Sequence, residues 1–131
     1  MKKTGILHKD ISELVAAIGH TDSIIICDAG FPIPSGVKRI DLGVEENLPT
    51  TLDLIRVILK ELPVEKIIVA KETEEVSPER YDEMVSFFPG VERKLIPHID
   101  FKEISKNAKA VIKTGDCTPY SNIILIAGVP Y

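Results

Sequence analysis

The segment Ile24–Cys27 constrains the fold most, because it reads Ile-Ile-Ile-Cys and does not alternate between apolar and polar residues. A half-buried strand alternates with a period of two, whereas a strand covered on both faces is apolar throughout. Other short apolar runs follow along the chain, separated by helical patterns. The 131 residues therefore predict one α/β domain over 1–131, a three-layer α/β/α arrangement with a mixed, mostly parallel sheet of about six strands.

The same patterns predict where the elements lie. Further strands are expected at Val37–Leu42, Lys66–Ala70, Glu92–Ile96, Ala110–Lys113 and Ile123–Ala127. Helices are expected at about residues 10–18, 51–62, from 78 to just before Pro89, and 101–106. Asp10 is the expected N-cap of the first helix, with Glu13 completing a capping box. The connection from 114 to 122 is too short for a parallel crossover, so the last two strands are expected to be antiparallel if they are neighbours.

Composition excludes several classes of function. The net charge is −4, with no basic stripe, which speaks against nucleic-acid binding. The apolar runs are too short to span a bilayer, and the first residues lack the apolar core of a signal peptide, so no membrane partner and a cytoplasmic location are expected. Cys27 and Cys117 have no metal-site spacing and are expected to be reduced thiols. Nucleotide-binding glycine motifs and the H-E-x-x-H pattern are absent.

Two ionisable residues bracket the first strand: His20 precedes it and Asp28 follows it. Histidine is suited to proton transfer near neutral pH, and open α/β sheets bind ligands at strand ends. Structural roles are also open. In that interpretation, His20 is only a cation at the carboxyl end of the first helix, and Asp28 is only a turn former in Asp-Ala-Gly.

Two later segments add candidates. His98 follows Pro97 after a predicted strand, and the alternative to a functional role is that of an ordinary loop residue. The segment from Lys113 to Asn122 is dense in polar groups, including Tyr120. One interpretation is a tight turn, and the other is a loop that offers phenol and amide groups to a polyhydroxylated ligand.

The chain resembles the D-ribose pyranase family nearly end to end. The resemblance rests on two blocks, Gly19-His20-Thr21-Asp22 through Asp28-Ala29-Gly30-x-Pro32-x-Pro34, and Thr114-Gly115-Asp116-Cys117-Thr118-Pro119-Tyr120-Ser121-Asn122. It implies a sugar mutarotase that interconverts the β-pyranose and β-furanose forms of D-ribose without a cofactor or metal. The alternatives are an L-fucose-type mutarotase or a non-catalytic sugar-binding accessory of ribose transport.

The resemblance also implies roles for individual residues. His20 matches the catalytic proton donor, and the substrate-binding positions are matched by Asp28, His98, Tyr120, Ser121 and Asn122. It further implies a homodecamer of two pentameric rings. Lys113 and Asp116 stand where relatives commonly carry Arg and Glu, and a lysine lacks the planar fork of arginine.

Strand length adds an inference about assembly. The five-residue strand between His20 and Asp28 separates them by about 15 Å or more, which places them on opposite edges of the sheet. We therefore expect a site between subunits, with His20 supplied by a neighbour. A metal-dependent enzyme that uses His20, His98 and Asp28 remains a further alternative.

Overall fold

The computed structural model describes residues 1–131. A six-stranded sheet forms its centre, with the strands in the order β2-β5-β1-β6-β3-β4. The strands are β1 (Ser23–Cys27), β2 (Lys38–Asp41), β3 (Val64–Ala70), β4 (Glu92–Ile96), β5 (Ala110–Lys113) and β6 (Ile123–Ala127). The helices are α1 (Lys9–Ala17), α2 (Thr51–Ile58), α3 (Lys71–Val76), α4 (Pro78–Val85) and α5 (His98–Ile104), and a 3-10 turn follows at Ser105–Asn107.

Five strands run in one direction, and β6 runs against them. β1 and β2 pair with β5 in parallel, and β3 pairs with β4 in parallel. β6 lies between β1 and β3 and is antiparallel to both. The predicted mixed, mostly parallel sheet is confirmed, whereas β5 and β6 are not neighbours because β1 separates them.

Two apolar clusters cover the two faces of the sheet, which confirms the three-layer arrangement. The larger cluster packs α1, α2 and α4 against residues such as Ile24 and Ile26 of β1. The smaller cluster packs Phe101 of α5 against Ile25 and Cys27 on the other face. Ile24 to Cys27 are at most 1% exposed, so the strand is buried on both faces as its sequence predicts. None of the helices combines the length and apolar character needed to cross a membrane.

Three local expectations differ from the structure. His8, not Asp10, is the N-cap of α1, and its ring nitrogen accepts a hydrogen bond from the Ile11 N–H. The short helix α3 lies in a segment with no predicted helix. α5 begins at His98, three residues before the predicted start at residue 101.

Candidate functional site

A pocket of about 350 Å³ lies at the edge of the sheet where the parallel strands end. Asp28 follows β1 and His98 follows β4, while Tyr120 and Asn122 precede the reversed strand β6. Because β6 runs the other way, its beginning lies beside the ends of its neighbours. The lining is completed by Gly30, Phe31, Pro32 and Pro119. The structure thus brings together four of the six residues predicted for the site.

Asp28 is fixed at this edge by its neighbours. Its N–H donates to Asn122 Oδ1 at 2.8 Å, and its Oδ1 accepts from the Gly30 N–H at 2.9 Å. Burial raises the pKa of the Asp28 carboxyl, and the hydrogen bonds from Gly30 and Asn122 oppose that effect. The carboxyl group is therefore half-buried, held in one orientation and able to accept a hydrogen bond from a hydroxyl group of a ligand.

His98 stands in an aromatic wall of the pocket. Its ring meets that of Tyr120 edge to face, with centroids 5.0 Å apart, and stacks on Phe101 at 6.1 Å. Burial and the nearby Lys102 lower the pKa of His98, which favours the neutral ring. Its Nδ1 is buried and has no hydrogen-bond partner. The ring of His98 lines the pocket, while this nitrogen faces the protein interior.

Ser121 does not line this pocket, contrary to the expectation from the resemblance. Its side chain is 0% exposed and points to the face of the sheet that α2 and α4 cover. There its hydroxyl lies 2.5 Å from Thr51 Oγ1 and accepts from Arg80 Nη1 at 2.9 Å. The chain leads directly into β6, where successive side chains point to opposite faces, so Ser121 and Asn122 separate.

Asp116 belongs to the same buried polar cluster. Its Oδ2 accepts from the Thr51 N–H and hydroxyl at 2.9 Å each and pairs closely with Arg80, while its Oδ1 accepts from the Thr118 N–H. Burial acts to raise the pKa of Asp116, but the donors outweigh it and hold the pKa below its usual range. Lys113 lies apart from the Asp28 pocket, in a neighbouring pocket of about 370 Å³ that Asp41 also lines.

His20 lies at the opposite edge of the sheet. The N–H of the next residue, Thr21, donates to the carbonyl of Ala127 at the far end of β6. The His20 Nε2 is 2.9 Å from Glu65 Oε2, and the side chains are 52% and 44% exposed. Five residues of β1 separate this edge from Asp28, a distance of about 16 Å. One chain therefore does not bring His20 to the pocket, nor does it assemble the three ligands of the metal-enzyme alternative; no cluster of three metal-ligating residues is found.

Sequence reasoning missed two contributors to the pocket's surroundings. Phe31 forms part of the aromatic wall, although in the sequence it is only the variable residue between Gly30 and Pro32. Glu72, at the start of α3, accepts the backbone N–H of His98. The signal for the second is the Pro97-His98 pair, since a helix that begins after proline without a capping side chain needs an acceptor from elsewhere.

Comparison with known proteins shows which family shares this sequence and fold. The model of the RbsD / FucU transport protein family matches residues 1–130. A D-ribose pyranase of Thermotoga petrophila is 47% identical over 133 residues, covering 98% of each chain. A D-ribose pyranase of Vibrio vulnificus is 45% identical over the full length of both chains.

Solved structures agree with these relatives. Bacillus subtilis RbsD complexed with D-ribose superposes with a TM-score of 0.97 at 44% identity, covering all of both chains. The fucose mutarotase of Streptococcus pneumoniae in complex with L-fucose superposes with a TM-score of 0.84 over both full chains, but at 24% identity, so it supports the fold alone.

Proposed function

The chain belongs to the RbsD / FucU transport protein family, and from this membership we propose that it is an isomerase that interconverts the β-pyranose and β-furanose forms of D-ribose. The observation that carries the proposal is the convergence of Asp28, His98, Tyr120 and Asn122 on one pocket. Full-length identity of 45–47% to curated D-ribose pyranases supports it. The supporting complex is that of Bacillus subtilis RbsD with D-ribose.

The reaction needs only proton movements. To open the ring, the anomeric hydroxyl loses a proton and the ring oxygen gains one. The open aldehyde then rotates and closes through a different hydroxyl group. No electron is transferred and no group leaves, so the chemistry requires neither a nucleotide nor a metal, and positioned acid–base groups suffice.

The pocket residues divide this work by their chemistry. The carboxyl group of Asp28 accepts a hydrogen bond from a sugar hydroxyl, and the ring of His98 forms one wall of the pocket. The phenol of Tyr120 and the amide of Asn122 each donate and accept, as binding of a polyol requires. His20 is the proposed proton donor to the ring oxygen. Glu65, at its Nε2, orients its ring.

We infer that His20 reaches the sugar from a neighbouring subunit. Its separation of about 16 Å from Asp28 follows from the length of β1 and exceeds the reach of any histidine rotamer. Two copies must therefore place the His20 edge of one against the pocket of the other. A decamer of two pentameric rings, located in the cytoplasm, is the assembly that the family resemblance implies and that we propose.

The direct test is exchange between the pyranose and furanose signals of ribose, followed by NMR with and without the protein. We expect the protein to accelerate exchange, and His20→Ala to reduce its effect by about 10²–10⁴-fold. Exchange at the wild-type rate in His20→Ala would exclude the proposed role of His20. No acceleration by the wild type, with ribose still bound, would indicate a non-catalytic sugar-binding protein. A larger acceleration with L-fucose would indicate the fucose-type alternative.

Mixed oligomers test the shared site. After subunit exchange, His20→Ala mixed with Asp28→Ala should regain part of the activity, because some interfaces then pair an intact pocket with an intact histidine. The matched control mixes Asp28→Ala with Asn122→Ala. Both defects lie on the same edge, so no intact site can form in that mixture. Equal recovery in both mixtures, or in neither after verified exchange, would contradict a site between subunits.

A further inference from the structure

The start of α5 lacks a cap from its own sequence. Its N-cap is Pro97, which makes no side-chain hydrogen bond, and the first free backbone donor is the N–H of His98. The first N–H groups of a helix have no partner within the helix and need an outside acceptor. Since His98 is also a pocket residue, whatever binds this N–H sets the position of its ring.

Glu72 of α3 supplies that acceptor. Both of its carboxylate oxygens lie 3.0 Å from the His98 nitrogen. A carboxylate is also the favoured group at the positive end of a helix. Glu72 thus caps α5 from 26 residues away in the sequence.

The next residue, Thr73, binds the backbone of Tyr120, the other aromatic residue of the pocket. It is 0% exposed, and its hydroxyl donates to the carbonyl oxygen of Tyr120 at 2.7 Å. Tyr120 has a φ of 57°, a left-handed conformation that a non-glycine residue adopts only when its surroundings hold it. The same carbonyl accepts the Asn122 N–H at 2.8 Å, so Thr73 stabilises the turn that carries both binding residues.

We propose that Glu72 and Thr73 are positioning residues that set the relative geometry of His98 and Tyr120. Neither lines the pocket, so each acts through the residue it holds. One turn of α3 thereby fixes two side chains that come from different elements, and their rings keep a separation of 5.0 Å. The consequence for ribose affinity rests on the proposed function.

Four variants test the proposal by ribose-exchange kinetics. Glu72→Ala removes the cap and should raise KM about tenfold, the equivalent of about 1.4 kcal/mol. Thr73→Val keeps the shape but loses the donor, and should raise KM about threefold. Glu72→Gln and Thr73→Ser keep an acceptor and a donor, so KM should stay within about twofold of wild type. The value of kcat should change little in all four, because the proposed proton donor His20 is untouched.

Ser105→Ala is the matched control, because Ser105 is also 0% exposed and its hydroxyl donates to a backbone carbonyl, that of Lys102, at 2.6 Å. It should lower the thermal midpoint without changing KM. The proposal is overturned if Ser105→Ala raises KM as much as Glu72→Ala and Thr73→Val do, or if Glu72→Gln is as impaired as Glu72→Ala.

Hydrogen exchange of the His98 amide gives a readout that does not depend on activity. Glu72→Ala should lose the protection of this amide, whereas Glu72→Gln should keep it. Unchanged protection in Glu72→Ala overturns the role of Glu72 even if the enzyme is active. Conversely, if the wild-type protein does not accelerate the interconversion of ribose pyranose and furanose, the proposed function is refuted, but the result on the cap of α5 still stands.

Discussion

Asp116→Asn should destabilise the protein strongly, since one buried carboxylate serves donors from three parts of the chain. Its Oδ2 accepts from Thr51 and pairs with Arg80, and its Oδ1 accepts from the Thr118 N–H. An asparagine has only one oxygen. In either orientation its amide NH₂ faces a donor, and the guanidinium of Arg80, which is 14% exposed, keeps only the exposed Glu83, 3.6 Å away, as a charge partner.

The magnitude follows from burial. Removal of one partner of a buried ion pair typically costs about 3–5 kcal/mol, because the other charge then lacks a buried partner. Total stabilities of single domains are about 5–15 kcal/mol, so this loss is a large fraction of the whole. The lowered pKa of Asp116 also predicts how its contribution to stability changes with pH. Its stabilisation is present above the ordinary value of 3.8 and is lost as pH falls through the folded pKa, so wild type and variant should converge in acid.

Urea unfolding at a fixed protein concentration, at pH 7 and at several acidic values, measures the difference. The cluster also holds Ser121, beside Tyr120 and Asn122, so the KM for ribose should rise together with the loss of stability. Asp53→Asn is a suitable control, because Asp53 also caps a helix but its side chain is 44% exposed. A loss below about 1 kcal/mol in Asp116→Asn, or a loss equal to that of the control, would refute the reasoning.

Three further predictions concern the pocket and the opposite edge of the sheet, where His20 lies. Asp28→Asn should raise the KM for ribose yet leave the urea midpoint at pH 7 unchanged or higher, because burial raises the pKa of this carboxyl and the ionised form opposes folding. Because the pKa of His98 is lowered in the folded protein, the unfolded chain binds the proton of this histidine more readily. The free energy of unfolding should therefore fall as pH drops below 6.5. His98→Gln should lessen that fall, as measured by urea titrations at several pH values. Glu65→Ala removes the 2.9 Å partner of His20 and should lower kcat about tenfold in NMR exchange, with Glu65→Gln less affected.

The central strands β1, β5 and β6 were predictable because their apolar runs need burial on both faces. The bounds of β4, β5 and β6 agree with the sequence pattern residue for residue. α3 escaped prediction because Lys-Glu-Thr-Glu-Glu-Val has no apolar stripe, and only Thr73 of this helix is buried. The early start of α5 escaped for a related reason: its cap, Glu72, comes from a distant part of the chain.

The candidate site was predictable to the extent that it depends on strand ends. Asp28 and His98 follow the parallel strands β1 and β4, so the topology places both at the same edge of the sheet. The role of Ser121 was not predictable from its position between Tyr120 and Asn122. Its side chain shares a face with Ile123 and belongs to the α2 and α4 layer, a separation that only the register of β6 reveals.

The reversed direction of β6 also explains why one chain separates the proposed proton donor from the pocket. Its beginning contributes Tyr120 and Asn122 to the edge that holds Asp28, and its end, Ala127, lies at the other edge with His20. The edges are about 16 Å apart along a strand that is buried on both faces, so neither can shift toward the other without unfolding the core. If His20 is the proton donor for a sugar held at Asp28, as proposed, a second copy of the chain must supply it, and the proposed activity then depends on assembly.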